Sequence, residues 1–363
     1  VFWLPRAFFR SPLMPDPLLD SGAQRILFFI RNFWSAPTGR RFGSSRGRIG
    51  AIKSGDPDVS GPYSKWLLLI LVFACLHGCA SRQNSITPEG PVRRQITDDS
   101  GKAVSLPVAV NRVVSLAPNL TEIVFAVGGG DRLVGRTSYC DFPPEAKSVA
   151  EVGDTLHPSL ERIIALKPQV VLVSTASQLE VFTKQLQDHD IAVFVTDPHD
   201  LEGVFRSIEK IGEILGLMDQ AKQTVDALRQ RVAAVEQKLK GSGRVRVFYQ
   251  LSGEPLYTIG KESFVNDLIQ RAGAVSVTAD VPGAWPKYSA EAALATKPDA
   301  IILPTGGSMG DTNASVAEPL KRSPAVVQKR VYKINDDHLV RPGPRAVDGL
   351  EEMARALHPE AFK

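Results

Sequence analysis

Residues 112–174 read RVVSLAPNLTEIVFAVGGGDRLVGRTSYCDFPPEAKSVAEVGDTLHPSLERIIALKPQVVLVS, and the order of elements in this stretch decides the fold. The apolar run 113–116 is broken by Ala117, Pro118 and Asn119, so a strand is predicted to end in a turn there. An apolar-periodic segment then runs from Thr121 to the glycines 128–130, the pattern of a helix with a glycine stop. Leu133-Val134-Gly135 and a loop with Tyr139, Phe142 and Pro143-Pro144 follow. A second helix is predicted to start at Pro158-Ser159 and stop at Lys167-Pro168, and the run 170–173 has the composition of a buried strand. Strands and helices alternating at this spacing predict an α/β fold, a mostly parallel sheet with helices on its faces.

The end of that stretch occurs twice. Residues 159–172, SLERIIALKPQVVL, match residues 289–302, SAEAALATKPDAII, at a constant offset of 130. Ser, Glu, Ala, Lys and Pro agree in register, and hydrophobic character is kept at 160, 163, 164 and 170–172 against 290, 293, 294 and 300–302. Each copy offers a serine N-cap and a first-turn carboxylate, Glu161 or Glu291, where the helix dipole favours it. Each then stops at Lys-Pro before an apolar strand. Two similar lobes are expected, one around each copy.

With 363 residues the chain has room for two ordinary domains, and 43% hydrophobic with 23% charged residues is a globular composition. The formal charge of +4 arises in the first 78 residues, which hold 10 Lys/Arg against 4 Asp/Glu. The remainder holds 33 against 35, a net of −2, which excludes a nucleic-acid footprint there. Three cysteines exclude a disulfide framework.

Residues 1–58 carry a basic, aromatic-containing patch at 25–34 and a Gly/Ser/Arg-rich run at 39–50. An over-extended or disordered N-terminus is expected, with a basic segment lying on a membrane as the alternative. Arg40-Arg41 lies too far from the next apolar run for a twin-arginine signal. Residues 59–78 contain Lys65 and then WLLLILVFACLHG, a positive residue and a short apolar core ending in small residues. That is a secretory signal, too short for a comfortable membrane-spanning helix. Leu76-His77-Gly78-Cys79 resembles the lipobox of bacterial lipoproteins, which implies that Cys79 is lipidated. A simple cleaved signal and a retained anchor are the alternatives. Residues 79–92 then form a polar tether, and Cys140 remains as a lone thiol expected to pack and not to react.

The rest divides into an N-terminal lobe over 93–201, a connecting helix over 202–241 and a C-terminal lobe over 242–363. A hairpin is predicted with strands at 95–97 and 103–106, followed beyond the organising stretch by a helix at 179–186 and a strand at 191–195. From 201 to 239 the pattern is helical, with a break at Gly216 and Asp219 as a cap. Val225, Leu228, Val232, Val235 and Leu239 form one apolar stripe there. Strands at 245–249 and 331–334 and helices at 264–269 and 346–357 complete the second lobe.

Enzyme chemistry is not legible. Gly260-Lys261-Glu262-Ser263 lacks the upstream glycine of a phosphate loop, because Pro255 stands there, and Glu262 displaces the hydroxyl. Gly128-Gly129-Gly130 ends a helix instead of opening one. His157, His189, His199, His338 and His358 have no metal-ligand spacing, and no serine stands in a nucleophile elbow. No metal, cofactor or catalytic set is expected.

An exported, tethered, two-lobe chain with a helical connector resembles the substrate-binding proteins of ABC importers, in particular the helical-backbone family that serves cobalamin, iron-siderophores and haem. The resemblance covers residue 95 to the C-terminus. It is carried by RVVSLAP at 112–118, YCDFPPEA at 139–146, SLERIIALKP at 159–168 and RPGPR at 341–345, and is greatest to the cobalamin-binding members. It implies two Rossmann-like lobes joined by a long rigid α-helix, with the ligand in the cleft between them and modest closure. It implies that Glu161 and Glu291 dock into arginine pockets of a two-fold permease driven by an ATPase; ordinary first-turn acids are the alternative. Tyr139, Tyr257 and Trp285 would pack against a corrinoid. Asp337 and Arg341 would contact its carboxamides, unless they form a local surface ion pair. Thr155 and Ser174 fall where relatives carry tryptophan, so two further ligands stay open. These are haem, with Tyr139 or His338 on the iron, and a ferric siderophore held by Arg136, Arg341 and Arg345. Such a protein would be a monomer, lipid-anchored in the periplasm or at the cell surface. The rival class is a surface enzyme on the same scaffold.

Overall fold

The computed structural model describes residues 92–174, 180–306 and 315–363. The signal segment, Cys79 and nearly all of the tether lie outside the described residues. Contacts divide the chain into Val1–Asn84 and Ser85–Lys363, and the described residues all belong to the latter.

A hairpin opens that unit, β1 (Arg93–Thr97) against β2 (Ala103–Pro107), with Ile96 opposite Val104. Its turn closes on Asp98, whose Oδ1 accepts the amides of Ser100 and Lys102 at 2.9 Å each. The first lobe continues through β3 (Val113–Ser115), α1 (Pro118–Ala126), β4 (Leu133–Arg136), α2 (Leu160–Ala165), β5 (Val170–Ser174), α3 (Glu180–Gln187) and β6 (Ala192–Thr196). Next come α4 (Leu201–Leu215) and α5 (Met218–Lys238). The second lobe starts with β7 (Val245–Tyr249), β8 (Ser252–Gly253), β9 (Leu256–Tyr257), α6 (Val265–Arg271), β10 (Ala274–Ser276) and α7 (Ala290–Ala295). It ends with β11 (Ala300–Thr305), α8 (Pro324–Val327), β12 (Val331–Asn335), α9 (Asp336–Val340) and α10 (Ala346–Leu357).

Two four-stranded parallel sheets result, ordered β4-β3-β5-β6 and β10-β7-β11-β12. The two orders are the same permutation, so whole lobes are duplicated and not only the matched fourteen residues. Strands covered on both faces need apolar residues at every position. Val170 and Leu172 lie in one apolar cluster with Val113 and Phe194, while Val171 and Val173 lie in another with Val114, Ile163 and Val193. In the second lobe Ala300 and Ile302 side with Val247 and Tyr249, and Ile301 and Leu303 with Phe248 and Ala293.

The repeated segment folds alike in both lobes. The hydroxyls of Ser159 and Ser289 accept the amides of Arg162 and Ala292 at 3.4 and 3.2 Å. Lys167 and Lys297 stand at φ values of +47° and +48°, where the proline after each bars another helical turn. Arg112 Nε donates to the Leu166 carbonyl at 3.0 Å, and Arg246 Nη2 to the Thr296 carbonyl at 2.8 Å. Each lobe thus ties down the last turn of its repeated helix with an arginine from the start of its first parallel strand.

The span 201–239 is helical but divided. Gly216, at φ +68°, ends α4, and α5 is the long helix, 21 residues. The expected Asp219 cap is corrected: the N-cap position is Leu217, which has no side-chain acceptor, and Asp219 lies in the first turn. The two helices run antiparallel, with Arg229 of α5 3.0 Å from Glu202 of α4. Near their turn a Cβ on Gly212 would lie 2.3 Å from the Ala221 Cβ. One apolar cluster passes from Ile123 and Val124 in the first lobe through Ile208, Ile211, Val225 and Val232 to Leu268 and Met353 in the second. The connection is therefore packed core, not a loose hinge. Gly212→Val is expected to cost about 2–3 kcal/mol by overpacking and lower Tm by roughly 5–10 °C in calorimetry. Gly243→Val, with open space around its Cβ position, should leave Tm unchanged.

Candidate functional site

In open parallel sheets ligands lie beyond the carboxyl ends of the strands, where the strand order reverses. That point falls between β3 and β5 in one lobe and between β7 and β11 in the other. The chain leaving β3 enters α1, whose first turns meet the second lobe. Asn119 Nδ2 donates to the Pro342 carbonyl at 3.2 Å, and a Cβ on Gly343 would stand 3.3 Å from the Asn119 Cβ. The loop RPGPR at 341–345 follows α9, which Asn335 caps by accepting the Asp337 amide at 3.0 Å.

Five charged groups meet at this seam. Arg341 Nη1 lies 2.9 Å from Asp141 Oδ1 and 3.4 Å from Glu122 Oε1, and its Nη2 lies 2.9 Å from Asp337 Oδ1. Arg345 holds Glu122 by two bonds, Nε to Oε2 at 3.0 Å and Nη2 to Oε1 at 2.6 Å. Its guanidinium also covers the Phe142 ring, 4.2 Å from the centroid. Glu122 and Asp141 come from the first lobe, and Asp337, Arg341 and Arg345 from the second. The side chains of Glu122, Arg341 and Asp337 are 2%, 6% and 9% exposed. Asp337 and Arg341 do form the local ion pair that was the alternative for them, but it is buried at the seam and not on the surface. Burial pushes the Asp141 carboxyl up, but the hydrogen bond and charge of Arg341 outweigh it and hold it below the usual range. Burial likewise opposes the charge on Arg345, and Glu122 more than restores it, so its pKa is raised. Among the described residues, three carboxylates thus surround two guanidiniums.

Tyr139 and Trp285 lie on loops, and Tyr257 ends the short strand β9. Tyr139 and Trp285 are 41% and 40% exposed, and Tyr257 is half-buried. The Ser138 amide donates to the Gly153 carbonyl at 2.9 Å, joining the Tyr139 loop to residues 153–158. The amides of Thr258 and Gly260 donate to Pro286 and Ala284 at 3.1 and 3.0 Å, joining Tyr257 to the Trp285 loop. Gly153 and Gly283, again 130 apart, both have positive φ, +108° and +92°. At that offset Thr155 matches Trp285, so the tryptophan lacking from the first lobe is a difference between two copies of one loop. Phe142 and Leu156 are further exposed apolar side chains on the first-lobe loops. Neither was anticipated as a site residue, although an apolar residue among Asp, Pro and His in a loop with no period is a readable sign.

The structure sets the remaining predicted residues elsewhere. Glu161 and Glu291 are exposed in the first turns of α2 and α7. Glu291 accepts the Ser289 hydroxyl at 2.8 Å, which holds its carboxyl below the ordinary range. Arg136 is buried and donates to the carbonyls of Ala146 and Thr137 at 2.9 Å each. His338 Nδ1 is 2.8 Å from Glu352, and Ser174 is half-buried at the end of β5. Cys140 is buried beside Thr137, Sγ to Oγ1 3.2 Å, and burial pushes its thiol pKa up, away from reactivity. Among the described residues, no group of three or more His, Cys, Asp or Glu is placed to hold a metal ion, and no helix is long and apolar enough to cross a membrane.

The family model described as periplasmic binding protein matches residues 113–337. The chain is 34% identical over 317 residues to the uncharacterized ABC transporter substrate-binding lipoprotein YvrC of Bacillus subtilis, covering 82% of this chain and 98% of that one. It is 30% identical over 254 residues to the vitamin B12-binding protein of Photorhabdus laumondii, covering 70% and 90%. Among solved structures, the periplasmic vitamin B12 binding protein BtuF of Vibrio cholerae superposes with a TM-score of 0.63 at 26% identity, covering 71% of this chain and all of that one. The two-lobe fold with its parallel sheets superposes on that structure over the latter's whole length. The chain belongs to the periplasmic binding protein family: it is an extracytoplasmic substrate-binding component of an ABC importer, working with a permease and an ATPase, and not an enzyme.

Proposed function

We propose that this chain captures a corrinoid of the cobalamin type between the lobes 93–201 and 242–363, joined through 202–241, and hands it as a monomer to its permease. The observation that carries this reading is how the arginines of the seam are paired. Arg341 and Arg345 are engaged by Glu122, Asp141 and Asp337, and Arg136 by backbone carbonyls. A carboxylate-bearing siderophore, or haem with its propionates, would find these guanidiniums already engaged by carboxylates of the chain. A corrin edged with neutral amides meets hydrogen-bonding groups beneath and aromatic rings at the rim, the mix that ligand sites use. In this reading Tyr139, Tyr257 and Trp285 pack on the macrocycle, and Asp337 and Arg341 bond its amides. The relatives whose names specify vitamin B12 point the same way.

Titrating Trp285 fluorescence tests the ligand, because it is the one tryptophan after Cys79. Cyanocobalamin is expected to quench it saturably. Trp285→Ala should weaken binding by roughly 2 kcal/mol, about thirtyfold by calorimetry, for ~80 Å² of lost apolar contact. Quenching by haemin or a ferric siderophore alone overturns the corrinoid. The exposed Tyr139 phenol favours haem as the second reading, which a Soret shift removed by Tyr139→Phe would establish.

Cys79 is proposed as the lipid-bearing residue. The match to the Bacillus lipoprotein covers 82% of the chain, whereas only 284 of 363 residues follow Cys79, so the match extends back across it. Glu161 and Glu291 are proposed as the pair that docks on the permease.

A further inference from the structure

We propose that Glu122 is a positioning residue that clasps the two lobes together and holds Arg341 in place in the floor of the cleft. The inference rests on the ligand reading only in assigning Arg341 to the cargo. Glu122 projects from α1 of the first lobe, yet both of its oxygens are taken by arginines of the second. Oε2 accepts Arg345 Nε, and Oε1 accepts Arg345 Nη2 and lies 3.4 Å from Arg341 Nη1. A bidentate guanidinium fixes angle as well as distance. A side chain 2% exposed has no water to take over if the pair parts.

Three contacts beside it also cross the seam: Asn119 to Pro342, Asp141 to Arg341, and Phe142 under Arg345. The helices α4 and α5 tie the lobes through apolar packing, and this cluster ties them a second time through charge. A body held at two places cannot open about either alone. Without the charge of Glu122, Arg345 keeps, among the described residues, Phe142, the Asp337 carboxylate 3.9 Å away and the more distant charge of Asp141. It would then compete with Arg341 for Asp337 and pull the floor out of shape.

The isosteric variant Glu122→Gln tests the clasp. Nitroxide labels on Lys147→Cys and Lys297→Cys, both exposed and one in each lobe, report the inter-lobe distance in a full chain with Cys75 and Cys79 replaced by alanine. The parent should show one narrow distance distribution, with and without cyanocobalamin. Glu122→Gln should broaden it by several ångström with far-UV dichroism unchanged, and cyanocobalamin affinity should fall about tenfold, ~1.4 kcal/mol. Should Glu122→Gln not fold because a buried guanidinium is stranded, the double variant Glu122→Gln with Arg345→Met removes both charges and should show the same broadening. An unchanged distribution in either folded variant overturns the clasp. The distance measurement needs no cargo, so a wrong ligand leaves it standing, while unchanged distances alongside intact corrinoid binding sink the clasp alone.

Discussion

Reversing both Glu161 and Glu291 to lysine is expected to abolish uptake by cells while the purified chain keeps its ligand affinity within about twofold. The two carboxylates are equivalent by construction. Each stands one residue into a six-residue helix, behind a capping serine and ahead of a left-handed lysine and a proline. Each is exposed, and neither belongs to the charge cluster at the seam. A two-fold permease presents the same socket twice, so two anions in the same local frame on two lobes can be read by one kind of site. A lysine facing a positive socket replaces attraction by repulsion, and like charges across an interface cost several kcal/mol, at least about a hundredfold in docking. Within the chain the change is small, roughly 0.3–1 kcal/mol per lysine against the helix dipole, so the fold survives. Single reversals should give intermediate uptake. The Ser289 hydroxyl bond keeps Glu291 ionised to lower pH than an ordinary glutamate, so docking through this site should persist as the medium acidifies. Uptake of labelled cobalamin, measured beside equilibrium binding, decides the matter; undiminished uptake in the double variant would make the two residues ordinary first-turn acids.

How much of this was legible in the sequence depends on how far apart the partners lie. The duplicated helix was readable because its signals are local: serine cap, first-turn acid and Lys-Pro stop all fall within ten residues. The central strands β5 and β11 were readable from unbroken apolar runs, whereas the short strand β10 (Ala-Val-Ser) has no such run and was not read. The start of α5 was misread because Gly216 does more than break the helix. The Gly216 amide returns to the Glu213 carbonyl and the Leu217 amide to the Gly212 carbonyl, so the turn closes on backbone bonds and α5 begins without a polar cap. The short helix α9 was missed because Asn335-Asp336-Asp337 has the composition of a turn. The resemblance singles out Arg341 and Asp337, whereas Glu122 and Asp141, which the structure brings beside Arg341, are not singled out by the sequence. Their partners lie 219 and 200 residues away, and an acid on an amphipathic helix ordinarily faces water. Burial of a carboxylate against a distant arginine leaves no trace in local periodicity.

Gly260→Ala is expected to unseat Trp285, lowering Tm by about 5–10 °C and ligand affinity at least about tenfold. A Cβ at this position would stand 2.1 Å from the Gly283 carbonyl oxygen and 2.5 Å from that of Val281. Both obstacles are backbone, so no rotamer change relieves them, and the 281–286 segment must move as a whole. That movement pulls on the Gly260 amide bond to Ala284 and on the 2.7 Å bond from the Lys261 amide to Val281. Overpacking and two strained bonds together cost roughly 2–3 kcal/mol, which sets the Tm shift. Trp285 rides on the displaced segment, and losing ~60 Å² of apolar contact with the cargo removes about 1.5 kcal/mol, the source of the tenfold loss. Its emission should move to longer wavelength as the loop lifts. Gly253→Ala is the control, because the nearest atom to a Cβ there is 3.9 Å away. If Gly260→Ala lowers stability while emission and affinity stay put, Trp285 does not form a wall of the site, and the contact must come from the first-lobe loops with Tyr139, Phe142 and Leu156. The glycine that lends 260–263 the look of a phosphate loop is thus required for a different reason: two backbone segments approach there too closely for any side chain.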